Sequence, residues 1–397
     1  MKHWSSFSLE DLCSDIVDCV NKTAPLSPQP TPYKMLRTSD IRGGVINLEG
    51  LNCVTEDTFA KWTRRCSLQY GDVIFTREAP LGEVGFVKHP ENYFLGQRLV
   101  LFRTNPALCD SRFLLYALLH HDNKATILSK GVGSTVQHLR VPECRKITIK
   151  APPLETQQKI ADILSAYDDL IDNNQQQMKL LEEAVKLYLS NFFKENNSHN
   201  WTTYSFPEVF DVIRGRSYKS ADITSSEGKL FVNLKNIKAW GGYKRNAEKR
   251  YSGEFQHCQK LIPGDIIMGM TDMTQDRRLV GHVAKIPHLG EDAIFSMDIA
   301  KLVPKVGSAN YLYYYLRYSD VSTSIANLAN GVNVLHLRPD SLKSIMLQLP
   351  SDKLIAKFDA ITGPIAEQIE LLEDSNQLLQ EARDRLLPKL LSGEIEV

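Results

Sequence analysis

Residues 154–193 read LETQQKIADILSAYDDLIDNNQQQMKLLEEAVKLYLSNFF, and this stretch decides the fold. Apolar residues recur along it at alternating intervals of four and three, which is the spacing of a coiled-coil seam. The pattern predicts a helix from about residue 155 to 195, about 60 Å long, whose apolar stripe needs a partner. The predicted seam comprises Ile160, Leu164, Tyr167, Ile171, Asn174, Met178, Leu181, Val185, Tyr188 and Phe192.

A second stretch, residues 354–386, has the same alternating spacing of four and three between its apolar residues. It is therefore the expected partner of the first stretch. Its predicted seam comprises Leu354, Phe358, Ile361, Ile365, Gln368, Leu372, Ser375, Leu379, Ala382 and Leu386. Gly363-Pro364 interrupts the pattern, so we expect a break or a restart of the helix there. The alternative is that both stretches are core helices of separate domains. Their length favours pairing with each other, because helices this long rarely fit inside a compact domain.

The rest of the chain contains an internal repeat of two copies. Gly71-Asp72-Val73-Ile74 matches Gly264-Asp265-Ile266-Ile267, and His138-Leu139-Arg140 matches His336-Leu337-Arg338 at an offset of 198 residues. The matches keep their order, and the offset slips where the second copy has the longer stretch Met270–Leu279. A repeat of this length predicts two homologous domains, each followed by its own long helix.

Charge alternates along the chain although Lys and Arg balance Asp and Glu at 47 each. Residues 1–150 carry 19 basic and 15 acidic side chains, and residues 200–350 carry 19 and 14. The two helical stretches are acidic, with 4 against 8 in residues 151–199 and 5 against 10 in residues 351–397. Two mildly basic domains suit a polyanion, although ordinary surface variation would give similar values.

Motifs that carry catalysis are missing from the sequence. There is no Gly-x-x-x-x-Gly-Lys-Ser/Thr loop and no His-Glu-x-x-His, and the one Pro-Pro pair lies in Ala151-Pro152-Pro153-Leu154, which is not a methyltransferase tetrapeptide. The adjacent His120-His121 is interpreted as the surface of a helix end. Seven cysteines without a C-x-x-C pair, and no apolar run of 18 residues, predict a cytoplasmic protein without a metal site.

Taken together, the duplicated motifs resemble the specificity subunits of type I restriction–modification systems. Residues 152–160 (PPLETQQKI) and residues 383–395 (RDRLLPKLLSGEI) carry the resemblance beside the two Gly-Asp strands and the two His-Leu-Arg segments. The likeness spans essentially the whole chain. Its motifs are structural rather than catalytic, but their occurrence twice and in this order is specific for the family.

The resemblance implies an α+β fold in which two pseudo-repeated mixed α/β target-recognition domains are separated by two long antiparallel coiled-coil helices. The implied boundaries are 1–153 and 200–350 for the domains, and 154–199 and 351–397 for the helices. The resemblance also implies a non-catalytic subunit that binds double-stranded DNA with a bipartite target, two methyltransferase subunits and restriction subunits. S-adenosylmethionine, ATP and Mg are then expected on those partners only. In the helices, the positions expected to pair or to meet a partner are Ile160, Leu164, Tyr167, Ile171, Asn174, Met178, Leu181, Val185, Leu372, Leu379 and Leu386.

Residues that touch DNA are predicted from side-chain chemistry, because Arg and Lys suit phosphates and guanine edges and Asn suits adenine. For any one of them a solvated surface charge is the plain alternative. Trp62 and Trp240 lack counterparts in the other copy and stand beside basic residues, so they are also considered for base contacts. The predicted DNA-binding residues are Arg37, Arg42, Lys61, Arg64, Arg65, Arg77, His138, Arg140, Asn233, Lys235, Lys238, Lys244, Arg245, Arg277, Arg278, Asn333, His336 and Arg338.

Two competing hypotheses remain. The first is a coiled-coil adaptor whose two globular modules bind proteins and never DNA, and the second is an enzyme with an unrecognised site, which would methylate or cleave DNA by itself. Binding of duplex DNA separates the adaptor from a DNA-binding subunit, because phosphate contacts make affinity fall steeply with salt.

Overall fold

The computed structural model describes residues 4–133, 136–196, 201–224, 226–245 and 247–397. The chain divides into two compact units: unit 1 is Met1–Asn173 with Asn376–Val397, and unit 2 is Asn174–Ser375. Each long helix therefore contributes one half to each unit. The predicted first residue of domain 1 and the predicted boundary between residues 199 and 200 lie outside the described residues.

The globular part of unit 1 is a mixed α/β fold whose elements precede the first long helix in the chain. A 3-10 turn, Thr38–Asp40, follows its third strand. Its elements are β1 (Ser5–Ser8), α1 (Leu9–Leu12), β2 (Cys13–Asp18), β3 (Lys34–Leu36), β4 (Ile41–Arg42), β5 (Val45–Ile46), β6 (Asn52–Cys53), α2 (Glu56–Thr63), β7 (Val73–Arg77), β8 (Leu81–Phe86), β9 (Tyr93–Leu95), β10 (Leu99–Thr104), α3 (Ser111–Leu119), α4 (His121–Ser129), α5 (Val141–Arg145), β11 (Thr148–Ala151) and the start of α6 (Leu154–Glu195).

Unit 2 repeats this plan before the second long helix. Its 3-10 turns are Ser220–Asp222, Leu234–Asn236, His257–Gln259 and Pro339–Ser344. Its further elements are β12 (Thr202–Ser205), α7 (Phe206–Val209), β13 (Phe210–Arg214), β14 (Ile223–Thr224), β15 (Lys229–Val232), β16 (Lys249–Tyr251), β17 (Lys260–Leu261), β18 (Ile266–Gly269), β19 (Thr271–Asp272), β20 (Val283–Lys285), β21 (Ala293–Phe295), β22 (Ile299–Pro304), α8 (Ala309–Tyr318), α9 (Val321–Asn327), β23 (Leu335–His336), β24 (Met346–Leu349) and α10 (Asp352–Ser392).

The internal repeat is visible strand by strand. The four-stranded antiparallel sheet has the order β2-β10-β7-β8 in unit 1 and β13-β22-β18-β20 in unit 2. Strand β1 pairs with β11 as β12 pairs with β24, and a parallel pair, β3 with β9 or β15 with β21, occurs once in each unit. Each unit buries its own apolar core, and one core contains Phe75, Phe102 and Phe113 where the other contains Met268, Leu302 and Tyr311. The predicted duplication is therefore a duplication of the fold.

The repeated Gly-Asp motif is a structural turn that starts the central strand. Gly71 and Gly264 have φ of 91° and 90°, a left-handed conformation that favours glycine. The following carboxylate pairs with a cation on the neighbouring strand, Asp72 with Arg103 at 2.8 Å and Asp265 with Lys301 at 3.2 Å. The motif is repeated because it fixes the strand.

The two long helices pair antiparallel within each unit. In unit 1, Ile160 and Leu164 of α6 share a core with Leu390 of α10. In unit 2, the Tyr188 ring of α6 stacks on Phe358 of α10 at 5.5 Å, and Asn174 Nδ2 lies 3.5 Å from Ser375 Oγ. Every predicted seam residue of α6 is buried or half-buried. Among the described residues, no helix combines the length and the apolar character that crossing a membrane requires.

Two expectations for the second helix are wrong. Helix α10 runs from Asp352 to Ser392 without a break at Gly363-Pro364, and Ile361 and Gln368 face outward while Thr362 and Ala366 are buried. A helix turns every 3.6 residues, so a strict four-three spacing drifts off the buried face over several turns. Burial of Phe358, Thr362 and Ala366 in unit 2 holds the helix together across the proline, because tertiary packing outweighs local propensity.

Candidate nucleic-acid interface

Unit 2 carries an open cleft of about 640 Å³ that is lined mainly by lysines. Their positions are set by the 3-10 turn Leu234–Asn236, which ends strand β15. The Asn236 side chain closes that turn, because its oxygen accepts the Asn233 N–H at 3.0 Å and its Nδ2 donates to the Lys244 carbonyl at 3.0 Å. The residues lining the cleft are Lys235, Ile237, Lys238, Ala239, Lys244, Ala247, Glu248 and Lys249.

Three of the four lysines in this lysine cleft have no carboxylate partner among the described residues. Lys238 lies 3.7 Å from Glu373, whereas Lys235, Lys244 and Lys249 make no ion pair within the described part of the chain. Glu248 accepts a hydrogen bond from the Tyr243 hydroxyl at 2.6 Å, and burial together with this carboxylate raises the pKa of Tyr243. The cleft therefore presents three exposed ammonium groups, which is the chemistry that phosphate oxygens require.

The long loop between β18 and β20 is organised by Asp272, which is fully buried. Its carboxylate accepts the Thr274 N–H at 2.9 Å, the Thr274 hydroxyl at 2.7 Å and the Leu279 N–H at 2.7 Å. Burial alone would raise the pKa of Asp272, but these hydrogen bonds outweigh it and lower the pKa. A carboxylate that stays ionised and accepts several donors gives the loop a defined shape.

This loop joins two groups of predicted residues on one edge of unit 2. Strand β19 pairs with β23, which sets Thr271 opposite His336, and Gln275 Nε2 donates to the Val332 carbonyl at 2.8 Å. Arg278 is exposed and lies 3.3 Å from Asp276. Asn333, His336 and Arg338 are exposed on the segment that pairs with the loop, and Arg277 is half-buried.

Unit 1 has the same edge in a shorter form. Residue Glu78 forms a bridge with His138, and the Leu139 N–H donates to the Arg77 carbonyl at 3.0 Å. Leu139 points inward and Arg140 outward, as Leu337 and Arg338 do in unit 2. Arg42, Lys61 and Arg64 are also exposed, whereas Arg65, although exposed, donates from Nη1 to the Cys19 carbonyl at 3.2 Å.

Besides Arg65, Lys238 and Arg278, four more of the predicted DNA-binding residues have side-chain partners inside the protein. Arg37 makes a bidentate contact with Asp40 at 3.0 and 2.8 Å, and Arg77 donates to the Leu139 carbonyl and lies 3.5 Å from Asp18. Arg245 is 2.7 Å from Asp374 on α10. The Asn233 amide is buried and bonds to the carbonyls of Phe231 and Ala247. These four side chains are not part of the candidate interface, because each already contacts groups of the protein itself.

The two tryptophans without repeat partners differ in their surroundings. Trp62 is half-buried against Phe94 at 6.5 Å, and its Nε1 donates to the Lys22 carbonyl at 3.4 Å. Trp240 is 58% exposed on the turn beside the lysine cleft. Burial therefore assigns Trp62 to the core and leaves the Trp240 ring exposed. The residue type alone could not show this difference.

Within the described part of the chain, one group of side chains that could ligate a metal lies at the junction of α3 and α4. His120, His121 and Asp122 place three ligand atoms within 4.8 Å of one another, and His121 Nε2 is 3.1 Å from Asp122 Oδ1. The three residues are consecutive and two of them are exposed, so the group follows from their adjacency in the chain.

The comparisons with known proteins match this duplicated plan. The sequence profile described as "Type I restriction modification DNA specificity domain" matches twice, at residues 1–183 and 198–377. The chain belongs to the type I restriction–modification DNA specificity family. Membership gives it DNA sequence recognition, and the two matches correspond to its two copies.

Relatives and a solved structure agree over nearly the whole chain. The specificity subunit of the type I restriction enzyme MjaIX from Methanocaldococcus jannaschii is 23% identical over 85% of this chain and 81% of its own. A putative MjaX specificity subunit of the same organism is 24% identical over 99% of this chain and 94% of its own. The crystal structure of the S subunit from M. genitalium superposes with a TM-score of 0.57 at 16% identity, covering 98% and 96% of the chains, which supports the fold.

Proposed function

We propose that this chain is the non-catalytic sequence-reading subunit of a type I restriction–modification complex. Each unit binds one half of a bipartite DNA target, and the paired helices set the spacing of the halves and dock two methyltransferase subunits. Restriction subunits join that complex, and S-adenosylmethionine, ATP and Mg are held by the partners.

The observation that carries this proposal is the duplication of one fold on a pair of continuous helices. Two similar units suit two half-sites on one duplex, by the same geometric logic that relates dimeric DNA-binding proteins to spaced half-sites. In unit 2 the lysine cleft adds three exposed lysines, Lys235, Lys244 and Lys249, that have no carboxylate partner in the described part of the chain, as a phosphate-binding surface needs.

The long helices also support the docking of two copies of one partner. Ile163 and Leu180 of α6 are 36% and 65% exposed, and the residues 198 positions later, Ile361 and Leu378 of α10, are 48% and 65% exposed. Exposed apolar residues at repeated positions favour protein partners over water. Because the same positions recur on both helices, two identical subunits fit them better than one. The acidic composition of both helical stretches favours a protein partner over phosphates.

Salt-dependent binding of duplex DNA by the complex with its methyltransferase tests the DNA-binding part. Lys235→Gln with Lys244→Gln should weaken binding to all sequences and reduce the slope of log affinity against log salt by about 1.8, since each lost phosphate contact contributes about 0.9. Lys305→Gln with Lys343→Gln is the matched control, because those lysines already pair with Asp211 and Asp340.

Three outcomes separate the hypotheses. Sequence-dependent binding with the expected loss of slope supports the proposal. A wild-type complex that binds no DNA, or binds it without salt dependence, supports the protein-binding adaptor. Methylation or cleavage by this chain alone, with cofactors but without partners, would contradict a non-catalytic role.

The spacing role is tested by lengthening both helices together. A heptad inserted after residue 173 and another after residue 375 keeps the seam in register and adds about 10.5 Å to each helix. That length is near three base-pair steps. We expect the preferred gap between half-sites to grow by about three base pairs with both half-sites unchanged. An unchanged gap in a folded, DNA-binding complex would exclude the helices as the determinant of spacing.

A further inference from the structure

The two units differ in the length of a hairpin that both contain. In unit 1 the Gly44 N–H donates to the Val84 carbonyl at 3.0 Å, and in unit 2 the Gly242 N–H donates to the Val283 carbonyl at 2.8 Å. These equivalent bonds align Gly43-Gly44 with Gly241-Gly242. One residue, Arg42, joins Ile41 to the glycines in unit 1, whereas residues 238–240 join Ile237 to them in unit 2. Unit 2 therefore has two additional residues, and one of them is Trp240.

The second difference is the length of the connection between the two sheet strands that this hairpin contacts. Three residues, 78–80, join β7 to β8 in unit 1, whereas residues 270–282 lie between β18 and β20 in unit 2. The two insertions contact each other. The Trp240 backbone N–H donates to the Arg278 carbonyl at 2.8 Å, and the indole packs edge-on against His282 at 5.4 Å. They form one surface that unit 1 lacks.

The indole is held in place and still exposed. Trp240 has a φ of 66°, which is unfavourable for a bulky side chain and is kept only where surrounding contacts fix it. Gly241 approaches the Val283 carbonyl so closely that a Cβ would lie 3.0 Å from its oxygen. His282, against which the ring packs, is buried, and burial lowers its pKa. The turn thus presents a positioned aromatic face to solvent.

Two cations belong to the segments around this ring. Lys238 lies two residues before Trp240 in the hairpin and lines the lysine cleft, 3.7 Å from Glu373. The Arg278 carbonyl accepts the Trp240 backbone N–H, and the Arg278 guanidinium is exposed, 3.3 Å from Asp276. An exposed aromatic face on a segment that also carries cations suits a nucleic acid, because bases stack on the ring while the charges contact phosphates.

We propose that Trp240 packs against a base step of the half-site bound by unit 2, with Lys238 and Arg278 on the flanking phosphates. The inference rests on the proposed function and deepens it. It makes Trp240 a specificity-determining residue of one half-site only. A base step that yields easily to a wedge, such as a pyrimidine–purine step, would be favoured at that position.

The test uses the complex of the full chain with its methyltransferase and duplexes that carry the cognate target. 2-Aminopurine is placed in turn at each position of either half-site. Apart from any base that the methyltransferase flips out of the duplex, wild-type complex should change its fluorescence at one step of the half-site of unit 2. Trp240→Ala should abolish that change and lower affinity for the cognate duplex by about 5- to 150-fold, the range of one base–aromatic stack. Trp240→Phe should retain part of the fluorescence change and part of the affinity.

Val45→Ala is the matched control, because Val45 is 59% exposed on the shorter hairpin of unit 1. Its affinity should stay within about twofold of wild type. Deletion of Ala239 and Trp240, which gives unit 2 the hairpin length of unit 1, should reproduce the loss seen with Trp240→Ala.

Failure of this inference differs from failure of the proposed function. If the wild-type complex binds its target but shows no local fluorescence change, and Trp240→Ala binds equally well, Trp240 has no base contact while the proposed function stands. If the wild-type complex binds no DNA in a sequence-dependent way, the proposed function itself is contradicted. The wild-type fluorescence decides the matter even if a variant does not fold.

Discussion

Unit 1 and unit 2 share a frame and differ at its edge. The sheet order, the Gly-Asp turns and the inward leucines of the His-Leu-Arg segments are common to both units. The hairpin after Ile237 and the loop around Asp272 are longer in unit 2 than their counterparts in unit 1. Residues that hold a fold are repeated, while residues that distinguish targets vary on loops that the frame positions.

The largest expected effect concerns the helix seam of unit 2, where Phe358 packs among aromatic rings, whereas the equivalent Ile160 packs in the core of unit 1. Phe358 is fully buried against Tyr188, Phe192 and Tyr311. Phe358→Ala should destabilise unit 2 by about 3–5 kcal/mol because it leaves a cavity among rings. Hydrogen exchange resolved by unit measures this, and protection should fall first in unit 2.

Ile160 is the position 198 residues earlier, and it is buried in unit 1. Ile160→Val removes one methyl group and should cost only about 0.5–1.5 kcal/mol, with the loss confined to unit 1. Equal loss of protection in both units after either substitution would contradict the division of the helices between them.

Polar contacts between the globular part and α6 also differ between the units. In unit 2, Arg317 is 3.0 Å from Glu182 and donates to the Tyr313 hydroxyl at 2.7 Å. Arg317→Met should cost about 2–3 kcal/mol, less than a fully buried pair because Glu182 is one-third exposed. In unit 1, the Tyr116 hydroxyl donates to Asp168 at 2.6 Å, and Tyr116→Phe should cost about 1–2 kcal/mol.

Urea unfolding of these variants measures both differences. A double variant of Arg317→Met and Glu182→Gln should recover part of the loss, since it removes the unpaired carboxylate as well. A double variant that is as unstable as the sum of the single ones would show that the two residues do not interact.

Much of this frame could be predicted from the sequence, because it depends on periodicity and repetition. Residues 155 to 195 were expected to form a helix, and the structure has it from Leu154 to Glu195. The missing break at Gly363-Pro364 could not be foreseen, since the packing of Phe358 and Ala366 that holds the helix there is tertiary.

Candidate site residues were less predictable, because residue type does not show which partner a charge has. Arg245 and Lys244 are adjacent and alike in chemistry, yet Arg245 is only 14% exposed beside Asp374 and Lys244 lines an open cleft. The extra length of Met270–Leu279 was the one sequence signal for the loop around Asp272. Its hydrogen bonds became visible only in the structure.

A smaller effect is expected from the loop that unit 1 lacks. Asp272→Ala removes the acceptor of three hydrogen bonds within residues 274–279 and should cost about 1–3 kcal/mol, mostly as local opening. Hydrogen exchange at residues 271–280 measures it, with unit 1 as the internal reference. Unchanged protection of that loop would mean that the carboxylate does not organise it.

The smallest effect is a dependence of stability on pH. Burial lowers the pKa of His282 in unit 2, and burial and then His121 lower the pKa of His120 in unit 1. The unfolded chain then binds protons more readily, so this stability is present above about pH 6.5 and is lost as the pH falls. His282→Gln should flatten the dependence of unit 2 alone, as followed by thermal unfolding between pH 5 and 7.5.

Profiling the DNA that the complex methylates tests the central claim most directly. Wild-type complex should leave a bipartite motif with a fixed gap. A variant with residues 239–240 deleted and Arg278 changed to Ala should alter or relax the motif in one half, with the other half and the gap unchanged. Simultaneous change of both halves, or a motif that is not bipartite, would contradict two duplicated units that each bind half of the target.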